Sequence, residues 1–168
     1  MKKLGNRYEF DEATFLSAFA VGEPGKRTFF VAVGKKGQWV RLWLEKQDLQ
    51  ALAIAIRRLL FNLSQNHVVS SQRAEVEPPP DAPSKLPTAE LEIHEMTLGY
   101  DDGKAVLEAS VHQLGPQKTP GELHCRATLA QLRQLGNQAD SVCAAGRPIC
   151  PLCGGPIDPT GHDCPAKN

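Results

Sequence analysis

The sequence lacks an apolar run of the ~20 residues that a transmembrane helix needs. It also lacks an excess of charge of either sign, since 19 basic side chains balance 19 acidic ones. Proteins that bind duplex nucleic acid normally carry a basic surplus that displaces phosphate counterions, so the composition does not favour this class. The basic start of the chain is not followed by an apolar segment, so we expect no secretory signal and predict a cytoplasmic protein.

The patterns that identify common enzyme classes are also missing. The sequence contains no nucleophile elbow and no H-E-x-x-H, and the loop at 22–28 lacks the G-x-x-x-x-G-K-[ST] pattern of a phosphate loop. The histidines at 67, 94, 112 and 124 have no spacing typical of a metal-ligand set or a general base. The sequence therefore favours a non-enzymatic role.

Cysteine is scarce in most of the chain, but three of the five cysteines lie in the last nineteen residues. With one histidine they follow the pattern C-x2-C-x8-H-x-C, formed by Cys150, Cys153, His162 and Cys164. Three thiolates and one imidazole make a closed tetrahedral Zn²⁺ site, which is typical of a structural rather than a catalytic metal. Because this tail has little apolar content, metal binding would supply its folding energy.

Two alternatives to this zinc hypothesis remain open at the level of sequence. In the first alternative, the tail is a disordered segment whose cysteines have this spacing by coincidence. In the second, a ligand from outside the tail replaces His162. The candidates for an outside ligand are His124 and Cys143. Cys143 and Cys125 also occupy apolar positions of a predicted helix and strand, which indicates core side chains rather than reactive thiols.

Hydrophobic periodicity predicts an α+β fold built from two tandem β-β-β-α repeats packed as one domain, with a small C-terminal zinc knuckle. The predicted boundaries are 8–69 for the first repeat, 70–88 for a Pro-rich linker, 89–146 for the second repeat and 147–168 for the knuckle. Each repeat begins with a further strand, at 14–20 and 91–98. The two repeats form either two antiparallel sheets or one merged sheet. The apolar strand positions that alternate with period two are Phe29, Val31, Val33, Val40, Leu42 and Leu44 in the first repeat, and Leu107, Ala109, Val111, Leu123, Cys125 and Ala127 in the second.

Each repeat ends in a predicted amphipathic helix. Apolar residues recur at three- and four-residue steps, and these are Leu49, Leu52, Ala53, Ile56, Leu59, Leu60 and Leu63 in the first helix and Leu132, Leu135, Gly136, Ala139, Val142 and Cys143 in the second. Thr128 and Gln131 have the spacing of a capping box at the start of the second helix, and Glu45 is in the equivalent place before the first.

Two groups of residues are candidates for binding a ligand or a partner. Arg41 lies between two tryptophans, Trp39 and Trp43, at alternate strand positions that point away from the predicted helix. Such a face stacks bases, binds a peptide or forms a dimer, unless the second repeat covers it. The second group consists of Glu23, Lys26 and Arg27 in a turn, which either binds an anion or a carboxylate or is simply a charged hairpin turn.

The blocks V-G-E-P-G-K-R-T-F-F at 21–30, L-E-K-Q at 44–47 and A-G-R-P-x-C-P-L-C-G at 145–154 resemble a bacterial family of conserved repeat proteins of unknown function. The resemblance covers nearly the whole chain and implies a C-terminal C-P-x-C-G zinc knuckle, whose ligands map onto Cys150, Cys153, His162 and Cys164. It implies no activity. The repeated strand-rich units are also similar to the single-strand-binding repeats of the purine-rich-element-binding proteins, where Gly37–Leu42 carries the likeness.

The function that we predict is a zinc-stabilised adaptor that acts through protein–protein interaction. The alternative is a single-stranded nucleic-acid-binding protein that uses Trp39, Arg41 and Trp43. A second alternative is a regulatory subunit or an enzyme for a phosphorylated small molecule, which would contact Lys26 and Arg27.

Overall fold

The chain folds into one seven-stranded mixed sheet and two α-helices in a computed structural model that describes residues 6–23, 26–35, 37–66, 86–144, 151–153 and 164–167. The strands are β1 (Asn6–Phe10), β2 (Phe15–Val21), β3 (Thr28–Lys35), β4 (Gln38–Leu44), β5 (Ala89–Asp101), β6 (Lys104–Gln113) and β7 (Thr119–Ala127). Helix α1 (Lys46–Gln65) follows β4, and helix α2 (Leu129–Ala144) follows β7. The predicted α+β class is therefore confirmed. Neither described helix combines the length and the apolar character needed to cross a bilayer.

The order of strands across the sheet is β1-β7-β6-β5-β4-β3-β2. Strands β2, β3 and β4 pair antiparallel, as do β5, β6 and β7, whereas β4 pairs parallel to β5 and β1 pairs parallel to β7. Of the two arrangements that the sequence left open, the structure has the single merged sheet. Whether its halves are copies of one repeat, and whether the predicted domain boundaries hold, stay predictions.

The two outermost strands are consecutive in the chain, and this forces the sheet to curl. Only residues 11–14 connect β1 to β2, a length that reaches at most about 18 Å, whereas a flat sheet of this size is about 29 Å wide. The connection bonds to both sides of the resulting seam, since the Ala13 N–H donates to the Arg126 carbonyl on β7 (3.2 Å) and the Thr14 N–H donates to the Gly34 carbonyl on β3 (2.9 Å). Helix α2 lies along this seam, where the Gln131 side-chain amide donates to the Ala13 carbonyl at 2.8 Å.

The core lies between one face of the sheet and the two helices. Apolar side chains at alternate positions of every strand join the buried stripes of α1 and α2 in one cluster. All twelve strand positions predicted from the period-two pattern are members of it, which confirms the predicted parity. Cys125 and Cys143 are also buried here, as predicted.

The helix starts follow the predicted capping chemistry. The Thr128 N–H donates to the Gln131 side-chain oxygen at 2.9 Å, and the Gln131 N–H donates to the Thr128 hydroxyl at 3.1 Å, which is a complete capping box. At the start of α1, the Glu45 N–H donates to the Asp48 carboxylate at 3.1 Å.

Two strand assignments differ from the sequence-based expectation. Strand β1 was not expected, because its five residues gain a pairing partner only when the distant β7 reaches them. Strand β7 begins at Thr119, four residues before Leu123, which is the first position that the alternating pattern assigns to this strand. Pro120 is tolerated because it lies at the beginning of the strand, ahead of the residues that pair with β1.

Candidate functional site

The face of the sheet opposite the helices, which we call the outer face, carries a second apolar cluster. No residue of α1 or α2 belongs to it. Its large side chains, which we call the aromatic patch, are Phe15, Phe19, Phe30, Trp39 and Trp43. Strands β2, β3 and β4 place them on one side because successive side chains of a strand point to opposite faces, and these five residues all fall on the parity opposite to the core positions.

Direct cross-strand contacts hold the aromatic patch together. The rings of Phe30 and Trp43, which are paired residues on β3 and β4, meet edge to face with centroids 5.2 Å apart. Phe30 also stacks on Phe19 of β2 at 5.3 Å. Gly34 stands opposite Trp39, where an added Cβ would lie 2.5 Å from the tryptophan Cβ, so only glycine allows this approach.

The guanidinium group of Arg41 lies over the aromatic patch. Its guanidinium carbon is 5.0 Å from the Phe30 ring centroid, 5.5 Å from that of Trp39 and 5.4 Å from that of Trp43, distances at which a cation and an aromatic face attract. Its Nη1 also forms a 2.6 Å ion pair with Glu90 of β5. Among the described residues, its buried Nε has no hydrogen-bond partner. The structure thus brings together the three residues proposed from the sequence, Trp39, Arg41 and Trp43.

The exposure of these residues is uneven. Trp39 is only 3% exposed, whereas Trp43, Phe15 and Phe19 are half-buried. The idea that the second set of strands lies over this face is wrong for the described residues, because β5 pairs edge to edge with β4 in the same sheet. Trp43 is therefore the more accessible of the two tryptophans.

Beside the aromatic patch, the outer face becomes charged. Glu95 of β5, Ser110 of β6 and Glu122 of β7 are neighbours in one row across the sheet. With Glu108 and His124 of the next row they line a shallow groove of about 260 Å³, which we call the glutamate groove. His124 Nε2 is 3.6 Å from the Glu108 carboxylate, but Glu95 and Glu122 form no ion pair within the described part of the chain. The sequence analysis missed this groove. Period-two alternation in β6 and β7 places Glu108, Ser110, Glu122 and His124 on one face, but Glu95 joins them only because a bulge between Ile93 and Glu95 reverses the alternation of β5.

The charged turn proposed from the sequence connects β2 to β3. The Lys26 N–H donates to the Glu23 carbonyl at 2.9 Å, which closes the turn. Glu23 and Lys26 are exposed and Arg27 is half-buried, while residues 24 and 25 lie outside the described residues.

Of the proposed zinc ligands, Cys150 and His162 lie outside the described residues. Cys153 is exposed and Cys164 is half-exposed. In the ranges that the structure describes, no three potential ligand side chains come together as a metal site. The two alternative ligands have other surroundings, since Cys143 is in the core and His124 is on the outer face.

Burial keeps both core thiols protonated. It raises the pKa of Cys125 to about 12, from an ordinary value of 9.0. Burial also raises the pKa of Cys143; the positive charge of Lys46 acts in the opposite direction, and the negative charge of Asp140 adds to the rise. Neither cysteine is therefore a nucleophile at neutral pH, because the thiolate is the reactive form.

Comparison with protein families gives one assignment for this architecture. A family model described as "Protein of unknown function (DUF3090)" matches residues 8–164, and the chain belongs to this family. Searches of curated proteins and of solved structures give no significant match.

Proposed function

We propose that the protein is a non-enzymatic adaptor that binds a partner protein through the outer face of its sheet. The aromatic patch is the observation that carries this proposal. Tryptophan and arginine are the side chains most enriched among residues that dominate binding energy at protein interfaces. Here Trp43 and Arg41 lie together on a face to which neither α1 nor α2 contributes, with Phe15 and Phe19 half-buried beside them.

The packing of the patch supports this role. Trp43 is braced by Phe30, and Arg41 is held by Glu90 and the rings below it, so neither side chain has to be ordered when a partner binds. Preorganisation of this kind lowers the entropic cost of association.

Site-specific photo-crosslinking in cells tests the proposal. A photoreactive amino acid in place of Phe19 reports on the outer face, and the same amino acid in place of Phe61, which is 62% exposed on α1, is the matched control. We expect a discrete protein adduct from position 19, absent from position 61 and lost when Trp43→Ala is added. Equal adducts from both positions, or an adduct that survives Trp43→Ala, would contradict the proposal.

The adaptor that we propose also carries a structural Zn²⁺ in its C-terminal tail. The donor set supports this, since three thiols and one imidazole from Cys150, Cys153, His162 and Cys164 are ligands that zinc prefers.

We further propose that the two halves of the sheet arose by duplication. Three antiparallel strands followed by a helix occur twice in the chain, with the same inward parity in each half.

Single-stranded nucleic acid is the second candidate ligand, because Arg41 and Trp43 form a stacked platform on which a base would fit. Two features weaken it. Trp39 is too buried to stack on a base, and the neighbouring glutamates repel phosphate. Binding of a mixed-sequence oligonucleotide at low salt, weakened severalfold or more by Trp43→Ala, is the result that would favour this candidate over the first.

A further inference from the structure

We infer that the partner is a protein with a basic segment, which lies on the glutamate groove while an apolar side chain of the same partner packs on the aromatic patch. This inference rests on the proposed function, because it assigns a class of partner to the same outer face.

The aromatic patch and the glutamates form one continuous surface. In the parallel pairing of β4 with β5, Arg41 stands beside Glu90 and Trp43 stands beside Glu92. One strand spacing, about 4.8 Å, therefore separates the aromatic side chains from the first carboxylates. A partner anchored on Trp43 is therefore close enough for its neighbouring side chains to reach the carboxylates of β5.

The ion pairs already formed on this face show where charge is uncompensated. Arg41 pairs with Glu90 at 2.6 Å, and Lys118 approaches Glu92 at 3.6 Å. By contrast, no basic side chain in the described ranges pairs with Glu95 or Glu122, and Arg7, which also lines the groove, pairs with Glu9 at 2.7 Å.

These two free carboxylates decide the chemistry of the occupant. Glu95 and Glu122 flank Ser110 on neighbouring strands, so they are about 10 Å apart across the sheet. Lysine or arginine side chains of a partner would neutralise them, whereas an acidic segment or a phosphate backbone would meet repulsion. Charge complementarity therefore selects a basic protein segment.

Fluorescence anisotropy with two labelled peptides tests this inference on the full-length protein. One peptide is lysine-rich with a central tryptophan, and in the other every lysine is replaced by glutamate. We expect only the lysine-rich peptide to bind, with an affinity that falls about tenfold in the Glu95→Gln/Glu122→Gln variant and also falls as NaCl rises from about 0.05 to about 0.3 M.

The matched control is Asp11→Asn/Glu12→Gln, which removes two exposed carboxylates from the β1–β2 connection instead. We expect its peptide affinity to stay within about twofold of the wild-type value. The inference is overturned if neither peptide binds, if the glutamate-rich peptide binds as well, if both double variants lose affinity equally, or if a labelled single-stranded oligonucleotide binds more tightly than the lysine-rich peptide.

A Trp43→Ala variant separates failure of this inference from failure of the proposed function. If Trp43→Ala abolishes the crosslinked adduct while the loss of Glu95 and Glu122 leaves binding unchanged, the adaptor function stands and the basic partner is wrong. If the lysine-rich peptide binds equally well to Trp43→Ala, the apolar anchor on the aromatic patch is wrong.

Discussion

Gln138 of α2 accepts a hydrogen bond from the backbone N–H of Ala18 on β2, with 3.1 Å between nitrogen and Oε1, although the two residues are 120 positions apart in sequence. Strand β2 is the last strand of the sheet, so its outward N–H groups have no neighbouring strand to bond. Gln138 is only 8% exposed and thus closes this edge from the second half of the chain.

Replacing Gln138 by leucine should therefore destabilise the fold. Gln138→Leu leaves the buried Ala18 N–H without an acceptor, and we expect a loss of about 1–3 kcal/mol in the free energy of unfolding. Urea denaturation measures it as a lower midpoint at an unchanged slope. The control is Asn137→Leu at the exposed neighbouring position, which should shift stability by no more than about 0.5 kcal/mol. Equal effects of the two changes would show that the Ala18 contact contributes nothing.

The contact between Gly136 and Ile56 leads to a second prediction. A Cβ added to Gly136 would lie 3.0 Å from Cγ2 of Ile56, a core side chain that is 1% exposed. Gly136→Ala gains about 1 kcal/mol of helix propensity, but overpacking costs about 1–3 kcal/mol. We expect a net loss of about 1 kcal/mol in thermal or urea unfolding.

The exposed Asn137 again provides the comparison, because Asn137→Ala changes helix propensity without a core contact. It should stabilise the protein by about 0.5 kcal/mol. The prediction would be contradicted if Gly136→Ala raised the free energy of unfolding by the full amount expected from helix propensity. That result would mean that the two helices move apart slightly at no energetic cost.

Local pattern was sufficient to predict much of this fold. The inward parity of β3, β4, β6 and β7 and the stripes of both helices follow from periods of two and 3.6 residues, which depend only on near neighbours. The capping box of Thr128 and Gln131 is equally local, and it forms as expected.

The parts that sequence reasoning missed all depend on contacts between distant segments. The curl of the sheet follows from β1 pairing with β7, more than a hundred residues away, and Gln138 was not recognised because its acceptor role exists only beside β2. The burial of Trp39 likewise depends on Gly34 of β3 and Phe15 of β2. Strand alternation gives the face on which a side chain lies, but not its exposure.

The buried thiol of Cys125 predicts a pH dependence of stability. Its pKa is about 12 in the folded protein and near 9.0 when exposed, so the folded state holds its proton where the unfolded state loses it. This contribution is complete below pH 9 and is lost between pH 9 and pH 12, at about 1.4 kcal/mol per pH unit. We expect the stability difference between wild type and Cys125→Val to change by about that amount per unit above pH 9 in urea titrations. A difference that is independent of pH would contradict the raised pKa.

Zinc binding in the tail is the prediction that most directly separates the alternatives for its ligands. The purified protein should hold one Zn²⁺ per chain, because the tail supplies four ligands, and Cys150→Ser, Cys153→Ser and His162→Ala should each lower its zinc affinity by about tenfold or more. Elemental analysis and competition with a chromogenic chelator measure both quantities. The controls are His124→Ala and Cys143→Ala, which should retain the metal.

Removal of the metal by a chelator tests whether the same site stabilises the rest of the fold. Every residue of the described core precedes the tail, and the last of them is Cys143. Removal of zinc should therefore unfold the tail and leave the free energy of unfolding of the sheet and helices within about 0.5 kcal/mol of its original value. A large loss of core stability on chelation, or loss of zinc from Cys143→Ala, would show instead that the metal joins the tail to the core. In that case the metal would have ligands from both the tail and the core, and the ligand set predicted from the tail alone would be wrong.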